Sequence, residues 1–382
     1  MDNKIKFLSL SIALAATSAS AANYAIEARG DAMGGVGVVS ANFLTAPFYN
    51  PALTAIYRRN DDVGMIVPSF GLSYSDQDNM VNDLDAVADL LETNDPSRIN
   101  ELGQAVDDLQ GDQAKLEMGG VVAFAIPNSF IAANVFGKLY TESYATPDIA
   151  TDSTAGTEEQ RILENAQNSS VSAVSIGVAE AGISLAKYQT FLGQHIAFGV
   201  SPKLQRIYTY VYEASLADYD ITDVRENGTG ETMFNMDAGF LWFHGPLRAG
   251  ISATNLISRD IETKATTSGR TYQYQLGPQY TVGFGLVADY ATISVDYDLN
   301  EDKRYTDFED NTQMLRIGGE IDIMRQLKLR AGWKRNLAYD NQDDTLTAGI
   351  GISPLNLFQL DIGASYTNED SMGAFINFLG SY

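Results

Sequence analysis

The second half of the chain alternates between apolar and polar residues with a period of two. In the segment LKLRAGWK, for example, Leu327, Leu329 and Ala331 alternate with Lys328 and Arg330. The same alternation runs through further segments, which read ATISVDYDLN, LRIGGEIDI, TLTAGIGIS, LFQLDIGASY and MGAFINFLGSY. Successive side chains of a β-strand point to opposite faces, so this pattern predicts strands with one apolar face.

The connections between the predicted strands alternate between tight turns and long loops. The tight turns span residues 126–130, 243–247, 287–291, 323–327 and 353–357. The long connections are acidic and span residues 76–115, 145–170, 214–231, 258–271, 300–313 and 340–344. Short turns at one end and long loops at the other are typical of transmembrane β-barrels, in which the short turns face the periplasm.

The pattern predicts an all-β fold, a 14-stranded antiparallel transmembrane outer-membrane β-barrel. We expect the strands at residues 62–75, 116–126, 129–144, 171–186, 195–213, 232–243, 247–257, 272–287, 291–300, 314–323, 327–339, 345–353, 357–368 and 371–382. An even number of strands brings both ends of the barrel chain to the same side. The last strand ends on an aromatic residue, Tyr382, and resembles the signal that the barrel-assembly machinery reads.

The first long loop, residues 77–115, has helical rather than strand periodicity. Its apolar residues recur every three or four positions and are Met80, Leu84, Val87, Leu91, Ile99, Leu102, Val106 and Leu109. This spacing predicts an acidic helical hairpin, with Pro96 at the start of the second helix. Residues 157–166 are predicted to form a third short helix. The hairpin is interpreted as a cap over the barrel mouth or as a lid or partner-docking element.

The first 22 residues have the features of a secretory signal peptide. Lys4 and Lys6 precede the apolar run Phe7–Ala16, and the small residues Ser18–Ala22 follow it. Cleavage is expected after Ala21 or Ala22. The chain has no cysteine, so an exported form does not depend on disulfides. Its formal charge of −24 argues against nucleic-acid binding, which needs a basic surface.

If the apolar faces contact lipid, the polar faces point into the barrel and carry many charges. These inward charges are Arg248, Asp296, Asp298, Arg316, Glu320, Asp322, Lys328, Arg330, Lys334 and Asp361. A tight turn centred on Arg325 would place Asp322 opposite Lys328 and Glu320 opposite Arg330. Matched pairs predict an ion-pair network along the wall. The alternative is a charged pathway that selects a solute.

Three predicted strands contain proline, at Pro68, Pro202 and Pro278. Proline lacks the amide hydrogen that a β-ladder uses and is confined to edges, strand starts and bulges. Because a closed barrel has no edges, each proline predicts a local bulge. One reading is a simple kink in the strand, and the other is a gap through which an apolar solute leaves sideways.

Catalytic chemistry has little support in the sequence. The chain has two histidines, His195 and His244, which lie in different predicted strands, and it has no cysteine. No spacing of histidines suggests a metal site, and the glycines of MGGVGVV lack the strand and helix of a dinucleotide-binding motif. We therefore predict that the protein is not an enzyme and has neither cofactor nor metal.

The segment ARGDAMGGVGVVSANFLTAPFYNPALTAI, residues 28–56, resembles the N-terminus of the FadL-type superfamily of outer-membrane barrels, the long-chain fatty acid transporter-like proteins. That superfamily has a glycine-rich run followed by an Asn-Pro-Ala motif, here Asn50, Pro51 and Ala52, preceded by Phe48 and Tyr49. The resemblance implies that these residues form a plug inside a 14-stranded barrel. The resulting division is a signal peptide 1–22, a plug 23–60 and a barrel 61–382.

A closer resemblance, over nearly the whole mature chain, is to the TraF-type plasmid conjugal-transfer barrels. It rests on the same opening segment, the helical first loop and the hairpin GPLRAGISATNLI, Gly245–Ile257. The first functional hypothesis is passive transport of small hydrophobic solutes across the outer membrane of a Gram-negative bacterium, gated by the plug. The alternatives are a component of a conjugal transfer or secretion apparatus and a closed structural surface barrel. The expected partners are outer-membrane lipid and lipopolysaccharide, with a hydrophobic small molecule or conjugation proteins, and no nucleic acid.

Overall fold

A computed structural model describes most of the chain. The described residues are 27–57, 63–76, 79–93, 95–216, 228–266, 268–306, 308, 310–339, 342–354 and 358–381. The predicted signal peptide, residues 1–22, lies outside them, as does the terminal Tyr382. Among the described residues, no helix is both long and apolar enough to cross a membrane.

Fourteen antiparallel strands close into a barrel, which confirms the fold that the sequence predicts. The barrel strands are β1 Gly64–Ser75, β2 Ala114–Ile126, β3 Ala132–Asp148, β4 Ser170–Phe191, β5 Gln194–Ser215, β6 Gly228–His244, β7 Leu247–Thr254, β10 Gln279–Val287, β11 Ala291–Asp298, β12 Met314–Ile323, β13 Leu327–Asn336, β14 Thr345–Ile352, β15 Phe358–Asn368 and β16 Ser371–Ser381. Pairing of β1 with β16 closes the barrel, so no strand edge is left open.

The outward face of the barrel is an apolar band. Large apolar side chains are exposed on every barrel strand, and Phe70, Phe284 and Ile321 are each 59–60% exposed. Exposed aromatic rings lie toward the tight turns at Phe130, Phe191 and Tyr290, and toward the long loops at Tyr280, Tyr297 and Tyr366. An apolar band between two aromatic belts is the surface that a membrane-spanning barrel presents to lipid.

Among the described residues, four α-helices lie outside the strands. They are α1 Ala28–Asp31, α2 Met80–Thr93, α3 Ile99–Asp108 and α4 Glu158–Asn168. Side chains cap the helical segments of the loops: Thr157 accepts a hydrogen bond from the Gln160 amide at the start of α4, and Asp95 accepts one from the Ser97 amide before α3. Helices α2 to α4 share one apolar cluster with the loop-side ends of the strands, and this cluster includes Met80, Leu84, Val87, Leu102, Val106, Ala166, Ala145 and Val171.

The loop between β7 and β10 is not the irregular connection that the sequence suggests. Two short strands, β8 Arg259–Glu262 and β9 Gln273–Leu276, form a hairpin with its own sheet. The predicted strand 272–287 is therefore divided, and Pro278 lies between β9 and β10 rather than within a strand. The hairpin packs on inward-facing residues of β4 and β5, such as Ile176 and Ile207, because these wall residues are apolar.

The other two prolines behave differently from each other. At Pro68 the pairing of β1 shifts register against both neighbours, and the Ser69 hydroxyl accepts a hydrogen bond from the Val121 amide at 3.0 Å. At Pro202 the expected bulge is absent. The ladder between β4 and β5 is interrupted there, yet its register is the same on both sides, and Pro202 keeps its place opposite Met236. The amide hydrogen that Pro202 lacks therefore interrupts the ladder locally, but no extra residue is inserted and no bulge forms.

Candidate functional site

Residues 27–57, here called the N-terminal segment, lie inside the barrel. The segment hydrogen-bonds to strands all around the wall, including Glu320 of β12, Thr347 of β14, Asn377 of β16 and Asn134 of β3. Irregular backbone at membrane depth is tolerated when the surrounding protein satisfies its polar groups. The enclosing wall therefore explains how this stretch, which has only short helical turns, can lie within a membrane protein.

Asn50 organises the turn that the sequence analysis singled out. Its Oδ1 accepts a hydrogen bond from the Ala52 amide at 3.0 Å, which caps a 3₁₀ turn over Pro51–Ala55. Its Nδ2 donates to the Val38 carbonyl at 2.9 Å and to the Phe240 carbonyl of β6 at 3.2 Å. Asn50 thus joins two parts of the segment to the wall. Pro51 is at the first position of the turn, where a backbone amide would have no partner within the turn, so its missing amide hydrogen costs no hydrogen bond.

The aromatic residues before Asn50 fill space inside the barrel. Phe48 packs edge-on against Phe136 of β3, with 5.7 Å between the ring centroids. The ring of Tyr49 lies so close to Gly37 that a Cβ there would be 2.1 Å from ring Cδ1. The Tyr49 carbonyl accepts a hydrogen bond from Ser252 Oγ of β7 at 2.6 Å.

Glycines on the wall make room for the segment. Cross-strand glycine pairs face inward at Gly199–Gly239, Gly250–Gly283, Gly318–Gly332 and Gly349–Gly363. A Cβ at Gly199 would lie 2.5 Å from the backbone carbon of Pro51, and one at Gly332 would lie 2.2 Å from the backbone carbon of Met33. The segment backbone therefore rests directly on the strands, at positions where only glycine leaves space.

All ten charges predicted for the lumen lie on inward positions of their strands. Glu320 pairs opposite Arg330 and Asp322 opposite Lys328, which is the register that the sequence suggested. The side-chain distances are 2.6 Å for the first pair and 3.9 Å for the second. Arg330 also contacts Asp361 at 2.7 Å. Glu320, Arg330 and Asp361 form one network beside the separate Asp322–Lys328 pair, and in both the buried charges of opposite sign compensate each other.

The other predicted charges do not join this network. Arg316 makes a two-pronged contact with Asp298, at 2.9 and 3.1 Å. Arg248 donates to the Val39 carbonyl at 3.0 Å. Asp296 Oδ2 accepts hydrogen bonds from the Gly37 and Val38 amides at 2.7 and 2.9 Å. Several charges therefore hold the N-terminal segment rather than each other. Lys334 lies further toward the loops, on the wall of a cavity described below.

A second charge network was not predicted from the sequence. Glu180 of β4 lies 3.2 Å from Lys203 and 3.7 Å from Lys138, and Lys203 lies 3.0 Å from Asp237. All four side chains are at most 7% exposed. The alternation of apolar and polar residues could have assigned these four residues to the inner face of the barrel. The first half of the chain, however, alternates less regularly than the second.

A strap crosses the barrel above the N-terminal segment. We give this name to residues 302–306, 308 and 310–312, which lie between β11 and β12. The Arg304 carbonyl accepts from the Gln275 amide at 2.9 Å, so the strap extends the β8–β9 hairpin. The Arg304 guanidinium pairs with Glu142 on β3, and Tyr305 Oη donates to the Ser175 carbonyl of β4 at 3.2 Å. These contacts tie the loop to the far wall of the barrel.

A cavity of about 310 Å³, here called the chamber, lies between the N-terminal segment and the outer loops. Val38, Phe48 and Tyr49 of the segment contribute to its lining, as do Arg304 and Asp310 of the strap. The wall is mostly polar and includes Ser73, Ser75, Thr281, Asp298, Arg316, Lys334, Thr345, Ser365 and Thr367. Burial raises the pKa of Asp310, which lies in the loop, to about 7. No cluster of three or more acidic or histidine side chains among the described residues is arranged to hold a metal ion.

Comparison with known families decides where the chain belongs. The model of a family described as "F plasmid transfer operon, TraF, protein" matches residues 47–298. The chain belongs to this TraF family. A comparison with curated protein sequences finds no significant match.

The barrel is also similar to solved structures. The TraF-family barrel is similar to the toluene transporter TbuX of Ralstonia pickettii, with 10% identity, a TM-score of 0.55 and coverage of 94% of this chain and 98% of that one. It is also similar to a deletion mutant of the monoaromatic hydrocarbon channel TodX, with 12% identity, a TM-score of 0.56 and coverage of 94% of this chain and 98% of that one. A Pseudomonas aeruginosa FadL homologue matches with 11% identity, a TM-score of 0.53 and coverage of 96% of this chain and 99% of that one. These likenesses show the FadL-type barrel fold. Two of these neighbours, TbuX and TodX, are a transporter and a channel.

Proposed function

We propose that this TraF-family barrel is an outer-membrane channel for small, mostly hydrophobic solutes, with the N-terminal segment as its plug. The observation that carries the proposal is the placement of residues 27–57, which fill the barrel beneath an otherwise accessible chamber. A solute that enters from the loop side meets Val38, Phe48 and Tyr49 at the floor. Passage to the periplasm then requires the segment to move. Export by cleavage of residues 1–22 is part of the same proposal.

The fold supports the class of solute. Among the similar structures, TbuX is a toluene transporter and TodX is a monoaromatic hydrocarbon channel. A barrel is useful for such molecules because the outer leaflet of lipopolysaccharide resists them. The polar chamber wall favours solutes that carry a polar group beside their apolar part, since a pure hydrocarbon would leave the wall without hydrogen-bonding partners.

A reversible disulfide tests the plug. Thr54 Oγ1 of the segment lies 3.1 Å from Ser184 Oγ of β4, and the chain has no cysteine of its own. Replacing both residues by cysteine places the two sulfurs within reach of a bond. In intact Gram-negative cells that express Thr54→Cys/Ser184→Cys, we expect uptake of a labelled monoaromatic to fall on oxidation and to recover on reduction.

Two controls make this experiment decisive. Each single cysteine variant reports any effect of substitution alone and should respond to neither oxidant nor reductant. Deletion of residues 45–53 should raise flux, because it removes the turn that Asn50 holds against β6. Unchanged uptake in the oxidised double variant would show that the segment does not gate transport.

A second candidate function follows from the family description, which names a plasmid transfer operon. Under this hypothesis the barrel is a component of a conjugal transfer apparatus, and the acidic helices α2 and α3 dock a partner protein. Deleting the gene should then lower DNA transfer while leaving solute uptake unchanged. A crosslinker placed on residues 79–93 should also capture a transfer protein. Normal transfer in the deletion strain would remove this alternative.

A further inference from the structure

The chamber has more acidic than basic residues on its wall. The acidic lining residues are Glu117, Asp296, Asp298, Asp302, Asp310 and Asp343, and the basic ones are Lys115, Arg304, Arg316 and Lys334. The bases are already engaged by acids: Lys115 lies 2.6 Å from both Glu117 and Glu142, and Arg316 binds Asp298. Arg304 pairs with Glu142, and Lys334 also interacts with a neighbouring group.

Two buried carboxylates of the chamber have no basic partner among the described residues. Asp296 and Asp310 are 1% and 3% exposed, and no lysine, arginine or histidine nitrogen among the described residues lies within 4.0 Å of either carboxylate. Asp310 accepts only the Tyr305 amide, and Asp296 accepts the two amides of the N-terminal segment through Oδ2. Buried carboxylates are ordinarily paired with a base, so these two lack the ion-pair partner that such groups usually have.

Two acceptor atoms at the chamber lack any donor. Asp296 Oδ1 and Gln279 Oε1 are buried and, within the described parts of the chain, have no hydrogen-bond partner. Both residues line the chamber. Gln279 is 5% exposed and uses its Nε2 to donate to the Asn300 carbonyl at 3.0 Å. Unsatisfied buried acceptors indicate that a water, an ion or a ligand supplies the missing donor.

From these observations we propose that the chamber is a binding site for a small amphipathic amine. Its ammonium group supplies hydrogen-bond donors and positive charge to Asp296, Gln279 and Asp310, which all line the chamber. Its apolar part lies on Phe48 and Tyr49 of the floor. The aromatic rings favour a cation further, because the face of a ring attracts positive charge. The inference rests on the proposed function only for the direction from which the ligand enters.

Three probes of matched size test the charge preference: benzylamine, benzyl alcohol and benzoate. Calorimetry at neutral pH measures the binding of each probe to the full-length protein in nanodiscs. Protein-free nanodiscs give the correction for partition of the probe into lipid. We expect benzylamine to bind about tenfold more tightly than benzyl alcohol, as one ion pair in a partly buried site allows. Benzoate should bind more weakly than the alcohol, because its charge repels the carboxylates.

Substitutions locate the site. Asp296→Asn and Asp310→Asn keep an acceptor for the backbone amides, and each should reduce the preference for benzylamine over benzyl alcohol. Gln279→Lys keeps a donor for the Asn300 carbonyl but adds a positive charge, so it should weaken benzylamine binding even if the aspartate variants fold poorly. Asp260→Asn, an exposed residue of β8, is the control and should leave all three affinities unchanged.

The outcomes separate this inference from the proposed function. Equal affinities for benzylamine and benzoate, or no binding of any probe, would overturn the amine site. A preference that survives in both aspartate variants and in Gln279→Lys would overturn it as well, since only water then satisfies the acceptors. Amine binding without plug-dependent uptake would support the binding site and contradict the channel hypothesis. Plug-dependent uptake without a preference for the cation would support the channel and contradict the amine site.

Discussion

Arg29 and Glu320 join the N-terminal segment to the barrel wall by two parallel contacts. Arg29 Nε lies 3.1 Å from Glu320 Oε2, and Nη2 lies 3.0 Å from Oε1. The same guanidinium donates through Nη1 to the Ser40 carbonyl at 2.9 Å, so it also fastens two parts of the segment together. Glu320 in turn accepts from Arg330 at 2.6 Å. One carboxylate thus connects the segment to the wall network.

Replacing Arg29 by methionine should loosen the segment while the barrel stays closed. Removing one partner of a buried pair costs about 3–5 kcal/mol, and the remaining contact with Arg330 places the effect at the lower end. Hydrogen exchange of the amides at residues 30–41 should become faster. Arg98→Met breaks the exposed pair with Glu101 and is the control, which should leave exchange of these amides unchanged. Exchange in the Arg29 variant as slow as in the wild type would show that the pair does not hold the segment.

Two substitutions of Asn50 separate the contribution of its Nδ2 donor group to stability from that of its Oδ1 acceptor. Asn50→Ala removes three hydrogen bonds and should destabilise the protein by about 1–3 kcal/mol. Asn50→Asp keeps the acceptor for Ala52 but turns a charged oxygen toward the carbonyls of Val38 and Phe240. We therefore expect a lower unfolding temperature for Asn50→Asp than for Asn50→Ala, measured by circular dichroism in detergent. Asn82→Ala, at an exposed position of α2, is the control, and the reverse order would contradict the assigned bonds.

A methyl group on the inner wall should displace the segment by steric contact alone. A Cβ at Gly332 would lie 2.2 Å from both the Met33 carbon and the Gly34 nitrogen, a distance that backbone atoms cannot tolerate. Gly332→Ala should therefore expose the segment to added protease and raise flux, with the strands intact. Gly277→Ala is the matched control, because a Cβ at Gly277 meets no atom within 4 Å. Equal protease resistance in both variants would exclude close seating at Gly332.

The strap should open more easily as pH rises toward 7. Burial raises the pKa of Asp310 to about 7, whereas the same group in an opened strap has an ordinary value of about 3.9. A carboxyl with a raised folded-state pKa stabilises the closed form most below pH ~4, and this stabilisation is lost as pH rises through the folded-state value. Arg304 and Lys115 oppose the shift electrostatically, Glu142 reinforces it, and the Tyr305 amide opposes it by a hydrogen bond.

Hydrogen exchange of the Tyr305 amide measures this opening. After correction for intrinsic exchange, opening should rise by up to about tenfold per pH unit between pH 4 and 7, and then level off. Asp310→Asn removes the titrating group and keeps an acceptor for the amide, so its opening should not change with pH. A wild-type profile that is flat from pH 5 to 8 would contradict the assignment to Asp310.

Some features of the lumen were predictable because they depend on local alternation. The period of two in β11 to β16 assigns each residue to the lipid side or the inner side. A tight turn around Arg325 then pairs Glu320 with Arg330, and the structure has this register. The position of Asn50 before proline likewise predicts a capped turn, since its side chain bonds to the backbone two residues on.

Other features were not predictable because their partners are distant in sequence. Gln273–Leu276 alternates like a barrel strand, but it pairs with Arg259–Glu262 inside the lumen, where apolar wall residues of β4 and β5 cover it. Nothing near Arg304 indicates that it reaches Glu142 on the opposite wall. Pro202 keeps its strand register because its neighbours on β6 continue the ladder on the other side.

The sequence by itself determined the barrel, its fourteen strands, the direction in which the wall residues of β11 to β16 face and the helical first loop. These follow from short-range periodicity and turn chemistry, which a single chain shows directly. Only the tertiary structure decided what occupies the lumen: the seating of the N-terminal segment on paired glycines, the inward hairpin, the strap and the chamber between them. Closing the barrel brings strands that are distant in sequence to face one enclosed volume, and the fit of side chains in that volume depends on all of them together.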